Sequence, residues 1–370
     1  MMTKRGVLLF QILFVLLTST TYAFSDTSAG SLEVLRRIIS AELKVSYVGT
    51  RLIVMNRPDG TIVREEMVIH QPPKIHAVNV LSVLGDARSS RPRNAEHGKD
   101  SVDPQALPAP GAAGKQREGK RSNRRRAWPR RKRLATLAPN EIELLAQNYT
   151  VDLAPADTIA GHQADLVTIS PRFDDRPTKR LYLSRTNGII LRTEDLDSAG
   201  NRHFTAVYTR ISFDEAEVQK KLALWQRDEE LEPEGKRRRS QPISLADAKQ
   251  VLDNRLVQPT YLPPGFQLLE VRYVKGRGEM VYLRYTDGLV TFSLFETKGE
   301  SFLRSRGPWG RDEASSVIKE YNGIPVRLNY RQQTHILRWS VSRIDFALVG
   351  NSGQSELIKV AESAILATQE

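Results

Sequence analysis

Apolar residues along the chain follow two periodicities, which predict a protein of helices and antiparallel strands. Between residues 31 and 44 they recur every three or four positions, as on the buried face of an amphipathic helix. Beyond residue 44, apolar and polar residues alternate over short segments that end in turn residues, the pattern of β-strands. Further helices are predicted at residues 139–147, 244–256 and 354–368. Strands are predicted at residues 45–55, 61–70, 74–83, 149–153, 164–170, 180–184, 189–195, 204–213, 267–274, 280–285, 290–296, 326–330, 336–342 and 345–349.

Two stretches without apolar periodicity divide this pattern. Residues 85–133 are rich in Pro and Gly and then in Lys and Arg. Such a composition cannot bury enough apolar surface to offset the entropy of ordering the chain, so this stretch is predicted to be a disordered insertion. Residues 222–242 are strongly charged and are interpreted as a linker. We therefore expect an N-terminal domain at residues 24–221 and a C-terminal domain at residues 243–370.

The N-terminus has the features of a cleaved export signal. Lys4 and Arg5 precede an apolar run at residues 7–17, and small residues follow as far as Ala23. The run is about half of the ~20 residues that a membrane span needs. Cleavage after about Ala23 and a periplasmic location are therefore expected. The chain has no cysteine, which excludes disulfides, thiolate metal sites and a lipidated N-terminal cysteine.

The net charge of +12 is concentrated in the insertion. Residues 115–133 contain eleven Lys or Arg residues and one acid, Glu118. Basic side chains are attracted to anionic lipid, and also to nucleic acid, but export argues against a nucleic-acid partner. A solvated loop is an equally good interpretation. The residues predicted to contact an anionic surface are Arg124, Arg125, Arg126, Trp128, Arg130, Arg131, Lys132 and Arg133.

Catalytic patterns are weak throughout the chain. The six histidines are scattered and none forms a metal-binding motif; His70 and His76, which flank Pro72-Pro73, are the one pair that could meet across a hairpin. No nucleophile elbow or phosphate-binding glycine loop is present. The chain is therefore expected to be neither an enzyme nor a metal-binding or cofactor-binding protein.

Segments in both predicted domains share turn glycines and strand alternation in a characteristic order. These segments are YVGT at residues 47–50, AGHQADLVTISPR at 160–172, RLYLSRTNGIILRTE at 180–194, DSAG at 197–200, YLPPGF at 261–266 and YTDGL at 285–289. In this order they resemble the MucB/RseB family of sigma-E regulatory proteins. The basic insertion departs from the family, because it is far longer than the family's loop at that place.

The resemblance implies both a fold and a function. The fold is α+β: a LolA-like antiparallel half-barrel with helices on its concave side, followed by a smaller α+β C-terminal domain. The function is that of a periplasmic regulator of envelope stress signalling, which binds the periplasmic part of a transmembrane anti-sigma factor. A periplasmic lipid or lipoprotein carrier is an alternative, as is a polyanion-binding envelope protein that acts through the insertion. Lipid or lipopolysaccharide, a peripheral membrane surface and a second copy of the chain are further candidate partners.

The concave face of such a sheet can admit an acyl chain or an apolar peptide, and this predicts a ligand cavity. For any single residue, a place in the core is the alternative interpretation. The predicted cavity residues are Leu52, Val54, Val68, Leu166, Ile169, Leu181, Leu183, Ile190 and Leu191.

Overall fold

The structure is a computed structural model that describes most of the two predicted domains. It describes residues 28–57, 60–73, 75–84, 137–173, 176–229, 240–275, 279–298, 316–331 and 334–369. The predicted export signal, the insertion and its eight predicted anionic-surface residues lie outside these ranges. No helix in the described part of the chain is both long and apolar enough to span a membrane.

The N-terminal half forms one antiparallel sheet with three helices. Its elements are α1 (Ser28–Lys44), β1 (Tyr47–Arg57), β2 (Gly60–Gln71), β3 (Ile75–Leu84), α2 (Pro139–Asn148), β4 (Tyr149–Ile159), β5 (His162–Pro171), β6 (Thr178–Ser184), β7 (Ile190–Leu196), β8 (Arg202–Ser212) and α3 (Glu215–Glu229). The strand order is β3-β2-β1-β8-β7-β6-β5-β4. The β1–β8 pairing joins the β1–β3 meander to the β4–β8 meander, and β3 and β4 form the two edges of the sheet.

Helices cover both faces of this sheet. Leu35 and Ile38 of α1 pack with Leu145 of α2 against strands β5 and β6. On the other face, Val218 and Leu222 of α3 pack against β1 and β2. Because successive residues of a strand point to opposite faces, one strand contributes to both layers. The sheet is an open half-barrel around α1 and α2.

The C-terminal half forms a second antiparallel sheet. Its elements are β9 (Ser240–Pro242), α4 (Leu245–Val251), β10 (Gln267–Val274), β11 (Glu279–Thr286), β12 (Thr291–Lys298), β13 (Val317–Tyr321), β14 (Ile324–Arg331), β15 (Thr334–Val341), β16 (Ile344–Gly350) and α5 (Gln354–Leu366). The strand order is β13-β14-β15-β16-β12-β11-β10-β9. Leu357 and Val360 of α5 are fully buried in one core with Trp339 and Phe346.

The predicted fold class, an α+β half-barrel followed by a smaller α+β domain, is confirmed. Three elements were not predicted: α3, β9 and β13. Apolar residues on α3 form only a narrow stripe, Val218, Leu222 and Trp225, within a charged sequence. This stripe is too narrow for a clear helical signal. The helix continues to residue 229 and so includes the first part of the stretch that was interpreted as a linker.

Candidate functional site at the domain junction

The predicted cavity residues are divided between two core clusters and a half-buried set. Ile169, Leu181 and Leu183 are buried with α1 and α2, and Ile190 packs at the edge of that cluster. Val68 and Leu191 lie in a second cluster with Tyr47 and Tyr208. Leu52, Val54 and Leu166 are half-buried and belong to neither cluster. The structure therefore brings some of the nine together as core, and the ligand cavity stays a prediction.

The two family-like segments of the C-terminal domain meet the N-terminal domain. The turn at residues 263–266 contacts Asn148 at the end of α2, and the turn at residues 286–290 contacts Asn148 and also Tyr149 at the start of β4. Each turn contains a glycine with positive φ, Gly265 at 77° and Gly288 at 101°. A Cβ on Gly265 would lie 2.0 Å from Asn148 Oδ1, and one on Gly288 would lie 2.4 Å from the backbone N of Leu145. The sequence therefore needs glycine at both turns, because the two domains approach too closely for a side chain.

Local hydrogen bonds explain why the sequence Thr-Asp-Gly-Leu forms the second turn. Asp287 Oδ1 accepts hydrogen bonds from the amides of Leu289, at 2.9 Å, and Val290, at 2.7 Å. The hydroxyl of Thr286 accepts from the amide of Gly288 at 3.0 Å and donates to the carbonyl of Val290 at 2.9 Å. Short polar side chains that satisfy backbone groups in this way are typical of tight turns.

The other carboxylate oxygen of Asp287 contacts the N-terminal domain. Tyr149 Oη donates to Asp287 Oδ2 at 2.7 Å, and Arg176 Nη1 lies 3.1 Å from the same oxygen. Arg176 also donates to the carbonyl of Pro264 in the first turn. Asp287 and Tyr149 are fully buried, and Arg176 is 6% exposed. A buried anion is thus paired with a cation and hydrogen-bonded from both domains.

Asn148, the last residue of α2, contacts both turns. Its amide Nδ2 donates to the carbonyls of Asp287, at 2.9 Å, and Gly265, at 3.1 Å. The helix is fixed at its start by the Glu141 carboxylate, which accepts from the backbone amide of Ala138 at 2.9 Å. The chain passes from Asn148 directly into β4 at Tyr149, so the side chains of these two consecutive residues both contact the C-terminal turns.

Burial dominates the acid–base properties of this junction. It raises the pKa of Asp287, although Tyr149, the two turn amides and Arg176 act in the opposite direction. It also raises the pKa of the Tyr149 phenol, and the adjacent Asp287 adds to that shift. The phenol is therefore a hydrogen-bond donor at neutral pH and has no capacity to act as a base. The arrangement is suited to holding two domains together.

The remaining polar candidates are structural in the described part of the chain. The His70 ring Nε2 lies 2.7 Å from the carbonyl oxygen of Glu42, and the His76 ring packs beside His70 with 3.4 Å between their Nδ1 atoms. No group of three His, Asp or Glu side chains among the described residues is arranged to hold a metal ion.

Comparison with known proteins finds a similarity over part of the chain. Residues 116–227 match the model of the MucB/RseB N-terminal domain. Over this segment the chain is similar to the MucB/RseB family. The comparison with curated proteins gives no significant match. The match ends within α3.

Several solved structures of MucB are similar at low identity. The MucA/MucB complex of Pseudomonas aeruginosa is 18% identical, covers 90% of this chain and 98% of that chain, and has a TM-score of 0.45. MucB in complex with MucA(peri) is 16% identical, covers 90% of this chain and 97% of that chain, and has a TM-score of 0.44. MucB alone is 18% identical over 90% and 97% of the two chains, with a TM-score of 0.41.

Sequence reasoning identified one side of the junction and missed the other. The segments at residues 261–266 and 285–289 were singled out as family motifs, without a structural role. Asn148, Tyr149 and Arg176 were not singled out at all. Their partners lie 88 to 139 positions away along the chain, and no local pattern signals such pairing.

Proposed function

We propose that this protein belongs to the MucB/RseB family and is an exported regulator that binds the periplasmic part of a transmembrane anti-sigma factor. The observation that carries the proposal is the match of residues 116–227 to the MucB/RseB N-terminal domain. The pattern of basic, apolar and small residues at residues 4–23 supports export.

The domain junction supports a binding function over a carrier function. A carrier needs only a domain with a cavity, and the second domain would then have no assigned role. A junction with buried charge and two obligatory glycines holds the domains in one arrangement, so that a partner can contact both at once. A polypeptide ligand benefits from such a surface, because a preorganised site loses less entropy on binding.

We further propose that the protein senses lipid, so that a bound lipid changes its affinity for the partner. Leu52, Val54 and Leu166 are half-buried predicted cavity positions that belong to no described core cluster, and a lipid is proposed to contact them. A fluorescent fatty acid should bind the mature chain and lower its affinity for the partner. Binding of the fatty acid with no effect on the partner would remove the sensing role.

The decisive experiment is an affinity purification of the mature protein from crosslinked envelopes, followed by mass spectrometry. The expected product is a single-pass membrane protein with a cytoplasmic sigma-binding segment, whose periplasmic part then binds the purified chain in a titration. Recovery of only lipids or mixed lipoproteins would contradict the proposal and favour a carrier. Deletion of residues 115–133 serves as the control, since a regulator keeps its partner and a polyanion-binding protein loses its ligand.

A further inference from the structure

A recess lies between helix α1 and the hairpin that joins β6 to β7. Its volume is about 550 Å³, within the range of small-ligand sites. The helix contributes Glu33, Arg36, Arg37, Ser40 and Lys44, and the hairpin contributes Asn187. None of these residues belongs to the domain junction or to the predicted lipid cavity.

The recess has an excess of positive charge. Arg36, Arg37 and Lys44 are all exposed, and Glu33 is the one carboxylate among the lining residues. Within the described part of the chain, none of the three cations forms an ion pair. Elsewhere on the same sheet, Arg51 and Arg64 both pair with Glu66, and Arg185 pairs with Asp165. The unpaired cations of the recess are therefore available to an external anion.

The wall of the recess is held in place by the hairpin. Gly188, with φ at 75°, approaches α1 so closely that a Cβ would lie 3.2 Å from the Cβ of Ala41. Arg37 Nη2 donates to the carbonyl of Arg185 at 3.4 Å, and Arg185 Nε donates to Asp165 at 2.7 Å. The turn that carries Asn187 is thus tied to the helix on one side and to β5 on the other.

The spacing of the cations indicates the shape of the ligand. Arg37 and Lys44 are seven positions apart and lie on the same side of α1, about 10.5 Å apart along its axis. Two separate anionic groups match this spacing better than one does, and an extended peptide in the polyproline II conformation places residues i and i+3 on one face about 9.3 Å apart. Ser40 lies between the two cations and offers a hydroxyl to a peptide group.

We propose that this recess binds an extended acidic segment of a protein partner, with carboxylates three residues apart that contact Arg37 and Lys44. The inference deepens the proposed function, because the anti-sigma factor is the partner to which it applies. It predicts an acidic stretch in the periplasmic part of that partner.

Zero-length carbodiimide coupling joins a carboxylate of the peptide to the lysine that it contacts, and each coupled lysine is identified separately. Coupling to lysines of the basic insertion is therefore not confused with coupling at Lys44. The mature chain is mixed with a Gly/Ser peptide that carries two glutamates three residues apart, and the lysines that couple are mapped by mass spectrometry. Lys44 should couple more than Lys249, an exposed lysine on α4. The Arg37→Gln variant should lower coupling at Lys44 by about two- to fivefold, as expected for loss of one exposed charge contact.

Matched controls separate a specific site from general charge attraction. Lys220→Gln removes the same charge from an exposed position on α3 and should leave coupling at Lys44 unchanged. Equal coupling at Lys44 and Lys249, or equal effects of Arg37→Gln and Lys220→Gln, would overturn the inference. A lipid headgroup site would give a different result: the unsubstituted chain would retain phosphatidylglycerol vesicles better than Arg37→Gln/Lys44→Gln does, and peptide coupling would not be selective for Lys44. That result would also overturn the inference.

The partner itself distinguishes failure of this inference from failure of the proposed function. If the purification recovers a single-pass membrane protein and Arg37→Gln/Lys44→Gln binds its periplasmic segment as tightly as the unsubstituted chain, the function stands and the recess inference fails. If no such protein is recovered but selective coupling at Lys44 holds, the recess inference stands and the proposed function fails.

Discussion

Asp287 illustrates how a single buried carboxylate can serve two domains. One oxygen accepts hydrogen bonds from the amides of its own turn, and the other faces Tyr149 and Arg176 of the N-terminal domain. Each contact compensates part of the cost of burying the anion. Removal of any one partner therefore leaves a desolvated group incompletely satisfied.

Substitution Tyr149→Phe removes one of these partners without changing the ring. We expect the free energy of unfolding to fall by about 1.5–3 kcal/mol, the range for a hydrogen bond to a charged group. Tyr285→Phe is the matched control, since the Tyr285 hydroxyl is buried without a hydrogen-bond partner among the described residues. Denaturant unfolding of both variants measures the difference. Equal destabilisation by the two substitutions would show that the Tyr149 hydroxyl contributes nothing specific.

Glu296 should make stability depend on pH. It is fully buried on β12, where Oε2 accepts from the amide of Val257 at 3.0 Å, and burial raises its pKa from 4.5 to about 8. The folded state therefore binds a proton that the unfolded state releases above about pH 4.5. This contribution to stability is complete below about pH 4.5 and is lost as the pH rises through about 8.

Substitution Glu296→Gln keeps an oxygen acceptor and removes the titration. From about pH 5 to pH 9, the free energy of unfolding of the unsubstituted chain should fall relative to that of Glu296→Gln, by on the order of a few kcal/mol. Glu143→Gln, at an exposed position on α2, should leave the slope unchanged. Parallel pH profiles for the unsubstituted chain and Glu296→Gln would mean that Glu296 is already ionised in the folded state.

At the level of elements, apolar periodicity was sufficient to locate a helix or strand wherever one face of that element is buried. The Asn187-Gly188 pair marked the β6–β7 hairpin, and alternation located both of its strands to within about two residues. Two short strands, β9 and β13, were missed because each lies at a sheet edge and pairs on one side only. Val317 and Ile318 of β13 are more than half exposed, so this strand has no alternating pattern to detect.

The turn at residues 286–290 should tolerate no side chain at Gly288. Substitution Gly288→Ala places a methyl group 2.4 Å from the Leu145 amide nitrogen at a φ of 101°. Gly200→Ala is the matched control, because Gly200 has a φ of 82° and nothing within 4 Å of the added Cβ. Both variants incur the strain of positive φ, about 1–2 kcal/mol, and Gly288→Ala should add about 1–3 kcal/mol from overpacking. Thermal unfolding compares them, and equal losses would mean that the junction can move apart at no cost.

At the level of the whole molecule, the sequence indicated the strands of the two sheets more readily than the contacts between the sheets. Each core follows from apolar periodicity, which is local. The junction depends on Asn148, Tyr149 and Arg176 meeting two turns that lie far along the chain. The family motifs pointed to those turns because their glycines and Asp287 form recognisable turn sequences. The opposite side has no such signature, so it required the tertiary structure.

Apolar packing accompanies this polar connection. Leu289, which follows the Asp287-Gly288 pair, packs against the N-terminal core cluster that contains Leu35 and Leu145. A residue of the C-terminal domain therefore completes the core of the N-terminal domain. Local opening of one domain should then expose surface that stabilises the other, and this couples their unfolding.

Substitution Arg176→Gln tests that coupling, because Arg176 belongs to the N-terminal domain and its charge partner to the C-terminal domain. It leaves Asp287 buried without its cation, a change that typically costs about 3–5 kcal/mol. Hydrogen exchange read by mass spectrometry should show reduced protection at residues 263–266 and 286–290 as well as near residue 176. Glu66→Gln is the control, since Glu66 pairs with Arg51 and Arg64 inside the N-terminal sheet and its effect should stay on β1 and β2. If Arg176→Gln also altered exchange only in the N-terminal domain, the junction would transmit no stability between the domains. The surface offered to a partner would then depend on how two independent domains happen to be oriented, and not on one fixed arrangement.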